Sequence, residues 1–160
     1  MINHARKFLV PLLVIIVDQI TKMFALKLTG PVAVLPVFNF VLVHNTGISF
    51  GMFNNAAQGP LILSLMSVVV CVLFGVWLAR VDHKPLAAAI GAVIGGALGN
   101  VIDRLRFGWV TDFLDFHIKD WHYPAFNVAD SAIVLGIAFI VLDGLFFERK
   151  RKAGHHEISA

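Results

Sequence analysis

The chain is 160 residues long, 58% apolar and only 14% charged, with a formal net charge of +3; its mean hydropathy is +0.81. So few charges cannot coat a soluble globule of this size, which excludes a soluble domain and leaves an integral membrane protein. The lysines and arginines sit in short clusters at the ends of apolar runs, a pattern of topology signals that excludes a nucleic-acid-binding face.

The first element opens like a secretory signal, with Arg6 and Lys7 before an apolar run from Phe8 to Val17. Asp18 and Gln19 follow in place of a small-x-small cleavage site, and apolar residues continue to Leu28, so a retained transmembrane helix is predicted over 8–28. Pro11 falls in its first turns, where a missing N–H does little harm. The next stretch, VAVLPVFNFVLVH, is rich in β-branched and aromatic residues. It predicts strand, with Phe38, Phe40, Leu42 and His44 on one face and Pro36 at an edge or bend. NTGISFGMFN then predicts a short amphipathic helix capped by Asn45 or Thr46.

Gly59-Pro60 opens a second span over 61–79, with Trp77 as an interface anchor and Arg80 at its end. It carries the single cysteine, Cys71, so no internal disulfide is possible. After VDHKP a third span runs over 86–104, with Gly91, Gly95 and Gly99 forming a stripe that lets helix backbones approach closely. The fourth covers 128–147 and ends in a cationic cluster, with a disordered tail expected for AGHHEISA.

Cations gather at alternate span ends, so the positive-inside rule puts both termini in the cytoplasm. The expected fold is one α-helical membrane domain, 1–160, with four transmembrane helices. Segments 29–59 and 105–127 face outward, to the periplasm in a Gram-negative cell, bearing a small β-sheet and a short helix; 148–160 is a cytoplasmic tail.

The polar residues concentrate outward. Gly95 to Ser131 holds five aspartates, two asparagines and two arginines beside apolar spans. Ionisable groups there are rarely kept without a task. Asn100, Asp103 and Arg104 share one helix face; Asp103 and Arg104 can pair at the helix end, and a guanidinium also suits a ligand carbonyl or carboxylate. Asp112 and Asp115 are read as one helical turn apart. Asn127 and Asp130 share a face, with Asp130 too far into the helix to act as its cap. Apolar surroundings raise a carboxyl pKa, and two close aspartates sharing a proton can activate water against an amide. Asp18, Thr21 and Lys22 form another stripe, either a self-neutralised pair or part of a site. Asp143, beside Arg149 and Lys150, carries no chemistry. His117, Asp120 and His122 match no standard zinc spacing, so the histidines are read as solvated and no metal is assigned.

DQITK (18–22), NTGISFG (45–51), GNVIDR (99–104), VTDFLDF (110–116) and FNVADS (126–131) resemble the blocks of the lipoprotein signal peptidase, or signal peptidase II, family. The resemblance implies an aspartic endopeptidase of the bacterial inner membrane. Such an enzyme cleaves the signal peptide from diacylglyceryl-modified prolipoproteins on the N-terminal side of the lipidated cysteine. It implies Asp112 and Asp130 as the catalytic dyad, and Asn45, Asn100, Arg104, Asn127 and Asp18 at the substrate site. Its partners are the prolipoprotein and membrane lipid; no cofactor, no nucleic acid and a monomer are expected. The alternative is a small proton-coupled transporter relaying protons through Asp18, Asp112 and Asp130.

Overall fold

The computed structural model describes residues 7–47 and 59–147. Its helices are α1 (Leu9–Ala25), α2 (Gly59–Arg80), α3 (Lys84–Phe107) and α4 (Val128–Leu142), the last running into a π-helical turn over Asp143–Phe147. Among the described residues, α2, α3 and α4 with its turn are long and apolar enough to cross a membrane. The 17 residues of α1 rise only about 26 Å at about 1.5 Å each. Beyond Ala25 the chain stays coiled rather than helical, as Lys27 and Leu28 donate to carbonyls three residues back.

The helices are organised around α3. Its apolar stretch is 67% buried, against 11% for α2 and 22% for α4. Small residues make this possible. A Cβ on Gly95 would stand 2.7 Å from the Pro11 carbonyl oxygen and 2.8 Å from Val14 Cβ of α1. On Gly96 it would collide with the Ala129 carbonyl of α4. The glycines thus let two helices press their backbones against α3. On its remaining side α3 packs against α2 through Leu78, Val81, Ala87, Ile90 and Ile94. Gly108 (φ 81°) ends α3 in the left-handed conformation, its N–H reaching back to the Arg104 carbonyl.

A four-stranded antiparallel sheet lies over one end of this bundle, in the order β1-β2-β3-β4. The strands are β1 (Val32–Leu35), β2 (Phe38–Asn45), β3 (Val110–Ile118) and β4 (Trp121–His122). Pro36 sits in the turn between edge strand β1 and β2, where no ladder donor is required.

Two local expectations fail here. TDFLDF lies in β3, so Asp112 and Asp115, three apart, point to opposite faces of a sheet and are not offset by a helical turn. The β-branched and aromatic residues of this stretch pair with β2 over its whole length. The second failure is the shared face of Phe38, Phe40, Leu42 and His44. Phe40 pairs with Leu114 but Val43 pairs with Asp112, so β2 carries an extra residue between them. Such a bulge reverses the alternation beyond it. It turns Asn45, partner of Val110, to the face that Val43 and Asp112 share. The helix expected over NTGISFGMFN falls mainly on residues 48–58, and the tail on 148–160; both lie outside the described residues.

Candidate active site

Where β3 meets the start of α4, three backbone hydrogen bonds join them. Phe113 and Leu114 donate their N–H groups to the Phe126 carbonyl, and Phe126 donates back to Leu114. This seats Asn127 beside Asp112. Asn127 is the N-cap of α4, in extended conformation, and Asp130 is the third helical residue. The Asn127 Oδ1 accepts from the Asp130 N–H at 2.9 Å, and Asp130 Oδ2 accepts from the Asn127 N–H at 3.2 Å. Asp130 is therefore half of a capping box, which corrects the expectation that it stands too deep to take part in capping.

Two asparagine amides join the two acids. Asn127 Nδ2 donates to Asp112 Oδ1 at 2.7 Å, and Asn100 Nδ2 donates to Asp130 Oδ1 at 2.8 Å. Asn127 Nδ2 also lies 3.3 Å from Asn100 Oδ1, linking the amides to each other. The second oxygen of Asp112 accepts from Asn45 Nδ2 at 2.8 Å. Asn45 is held for this by the Gly47 N–H, which donates to its Oδ1 at 2.8 Å. The turn needs a positive φ at residue 47, 74° here, which glycine adopts without penalty.

Asp112 is wholly buried. Burial pushes its carboxyl up and the charge of Asp130 pushes it further. Donation from Asn45 and Asn127 and the charge of Lys22 pull it down, and the balance is a pKa of about 6. Asp130 is half-buried. It borders a cavity of about 350 Å³ lined by Tyr123, Phe126, Ser131, Val134 and Leu135. One acid is thus enclosed, while the other borders an apolar space open along α4.

Arg104 lies within electrostatic reach of Asp130, Asp112 and Asp103. Its Nε is buried and has no hydrogen-bond partner among the described residues. It is not paired with Asp103 at the helix end. Adjacent residues of a helix project in different directions, and Asp103 turns toward α1. There it lies 3.3 Å from Lys22 Nζ and accepts from Gln19 Nε2 and from the Thr111 N–H, both at 2.9 Å. Asp18 is wholly buried beside it. Its Oδ2 pairs with Lys22 at 2.9 Å and its Oδ1 accepts from the Ala129 N–H at 2.9 Å. With both oxygens engaged, Asp18 bonds to neither acid directly and reaches them through the backbone before Asp130 and through Lys22, which also donates to Asn100 Oδ1. Thr21 bonds within its own helix, to the Val17 and Asp18 carbonyls. The Asp18–Lys22 pair of the stripe forms as spacing allows; Gln19 is the contributor that residue spacing left unassigned, and its signal is one further polar side chain in a helix that is mostly apolar.

The histidines stand apart from this cluster. His122 Nδ1 meets Asp115 Oδ1 at 2.8 Å, Asn39 Nδ2 donates to Asp115 Oδ2 at 3.1 Å, and the His117 and His122 rings stack 5.0 Å apart. Burial raises the Asp115 carboxyl, but donation from His122 and Asn39 outweighs it and leaves the pKa below the usual value. Among the described residues no three His, Cys, Asp or Glu are placed to hold a metal ion. Asp143 is buried at the far end of the bundle, 3.9 Å from His83 Nδ1.

An enclosed aspartate and a half-open one, tied by shared amides beside an arginine, can hold one proton between them and orient a water. Known proteins resemble this chain over most of its length. The family model for signal peptidase (SPase) II matches residues 10–146. A lipoprotein signal peptidase from Coxiella burnetii (strain Dugway 5J108-111) is 45% identical over 136 residues, covering 81% of this chain and 83% of its own. Its counterpart from Teredinibacter turnerae is 44% identical over 151 residues, covering 91% and 90%. A solved bacterial membrane enzyme superposes with a TM-score of 0.78 at 27% identity, over 91% of this chain and 95% of its own. A second gives 0.75 at 28% identity, over 89% and 88%. The chain belongs to the signal peptidase II family.

Proposed function

We propose that this chain is the membrane aspartic endopeptidase that removes signal peptides from prolipoproteins, with Asp112 and Asp130 as its catalytic dyad. The observation that carries the dyad is the amide bridge: Asp112 to Asn127 to Asn100 to Asp130, every link 3.3 Å or shorter. The peptidase activity is supported by the names of relatives that match most of the chain. A transporter relay needs carboxylates spread through the membrane depth, whereas Asp18, Asp112 and Asp130 gather in one network.

Asp130, which borders the cavity, takes a proton from a bound water as that water attacks the carbonyl before the lipidated cysteine. Asp112, with its raised pKa, holds the shared proton, stabilises the developing oxyanion and delivers the proton to the leaving amine. Cleavage adds one water across one amide bond and leaves the dyad with its single proton. Asn100 and Asn127 aim the acids, Asn45 holds Asp112, and Asp18 supports Asp130 through Ala129. The guanidinium of Arg104, whose Nε has no hydrogen-bond partner among the described residues, binds a substrate carbonyl.

The lipid-bearing substrate approaches sideways along α4. The protein spans the inner membrane four times as a monomer, with both termini cytoplasmic and the sheet and dyad on the periplasmic side. The test is cleavage of a diacylglyceryl-modified precursor, beside the unmodified one, by wild-type enzyme, Asp112→Asn and Asp130→Asn. The wild type cuts only the lipidated form, and each variant inserts normally but cuts neither. Turnover by either variant refutes the dyad.

A further inference from the structure

Lys22 lies behind the two acids, its side chain only 3% exposed. An ammonium has three donors and no acceptor, and this one faces three oxygens: Asp18 Oδ2 at 2.9 Å, Asn100 Oδ1 at 2.9 Å and Asp103 Oδ2 at 3.3 Å. Each partner is in turn attached to the dyad. Asp18 accepts from the N–H of Ala129, the residue before Asp130. Asp103 accepts from the N–H of Thr111, the residue before Asp112. Asn100, its oxygen claimed by the ammonium, can present only its NH2 to Asp130.

We propose that Lys22 is a positioning residue for the peptidase reaction. Its ammonium holds Asp18, Asn100 and Asp103 so that the strand bearing Asp112 and the helix bearing Asp130 meet in one geometry. This rests on the dyad assignment above. Stability alone gives little reason for such an arrangement, because a buried ionic cluster is often matched or exceeded by well-packed apolar residues. Geometry gives a strong one. The two acids come from different elements, and a misplacement of about 1 Å can slow a reaction on the order of 100-fold. The field of Lys22 also acts to lower the Asp112 carboxyl, which supplies a second readout.

The full-length enzyme is assayed in detergent as wild type, Lys22→Met and Lys22→Gln, beside Asp112→Asn and Asp130→Asn. For the lysine variants kcat falls on the order of 100-fold while KM for the lipidated precursor stays within about twofold. The alkaline limb of their pH–rate profile moves to higher pH, because the cation that favours ionised Asp112 is gone. Folded variants with wild-type kcat and an unmoved limb overturn the proposal, as does a loss confined to KM. Lys22→Gln keeps a donor for Asn100 without the charge, so it provides the same readout if Lys22→Met fails to insert. If neither variant yields folded protein, or if the folded fraction keeps full activity, Lys22 is structural and the proposal fails. Activity in Asp112→Asn or Asp130→Asn refutes the dyad instead. Dead aspartate variants beside unaffected lysine variants refute Lys22 alone.

Discussion

Asn127 performs two tasks with the two ends of one amide, and they can be separated. Its Oδ1 caps α4 by accepting from the Asp130 N–H; its Nδ2 donates to Asp112 at 2.7 Å. Asn127→Ser keeps a capping oxygen and removes the longer Nδ2 amide that reaches Asp112, its shorter hydroxyl serving the cap, whereas Asn127→Ala removes both. Losing the cap costs about 1 kcal/mol of stability. A hydrogen bond to a charged group contributes about 1.5–3 kcal/mol. Because Asp112 is wholly buried, no solvent replaces it. If that donation is felt mainly in the transition state, the rate falls roughly 10- to 150-fold. Both variants should therefore lose activity alike and both should unfold earlier than wild type, with Asn127→Ala the less stable of the two by about the 1 kcal/mol of the cap. Gel-shift cleavage of lipidated precursor measures the first effect, and thermal unfolding in detergent the second. A serine variant with wild-type turnover refutes the donor role; equal melting of the two variants refutes the cap.

Further predictions concern protonation and packing. The protonated form of Asp112 is present below its pKa and lost above it, so kcat/KM should decline as pH rises through about 6. Asn45→Ala should move that decline to higher pH, since donation from Asn45 lowers the pKa; a pH–rate series in which the limb stays fixed or moves down refutes the assignment. Gly99→Ala places a Cβ 2.7 Å from Asp18 Oδ2, whereas Gly75→Ala on α2 meets nothing within 4 Å. The first should lose at least about 1 kcal/mol of stability and much of its activity. The second should be neutral or gain up to about 1 kcal/mol. Parallel melting curves and turnover measurements check both, and equal behaviour of the two variants refutes the packing account.

Much of this arrangement can be read from residue order, and the exceptions share a cause. Apolar runs and their flanking cations mark the helices because hydrophobic length is a local property. The pairing of Asp112 with Asp130 came from motif blocks, not from periodicity. The side chain of Asn45 faces Asp112 only because β2 gains a residue between Phe40 and Val43, and nothing within VLVHN announces a bulge. TDFLDF has apolar residues at helical as well as strand spacing; its pairing with β2, about 70 residues earlier, decides the matter. The role of Lys22 depends on a contact to Asn100 across 78 positions. Local patterns record which residues are buried, whereas register and long-range ion contacts decide what a buried polar group faces.

The contrast between α2 and α3 has a consequence for variation. Leu65, Met66, Val69, Val72 and Leu73 of α2 all project outward, so their only chemical demand is oiliness. A saturation library there should accept nearly any aliphatic or aromatic replacement. The same library across the glycine-lined face of α3 should reject almost everything larger than alanine. The outward apolar faces of α1 and α4, where Leu12, Leu13, Val134 and Leu135 are exposed, should share the tolerance of α2, so side chains that meet lipid can be exchanged without disturbing the acids.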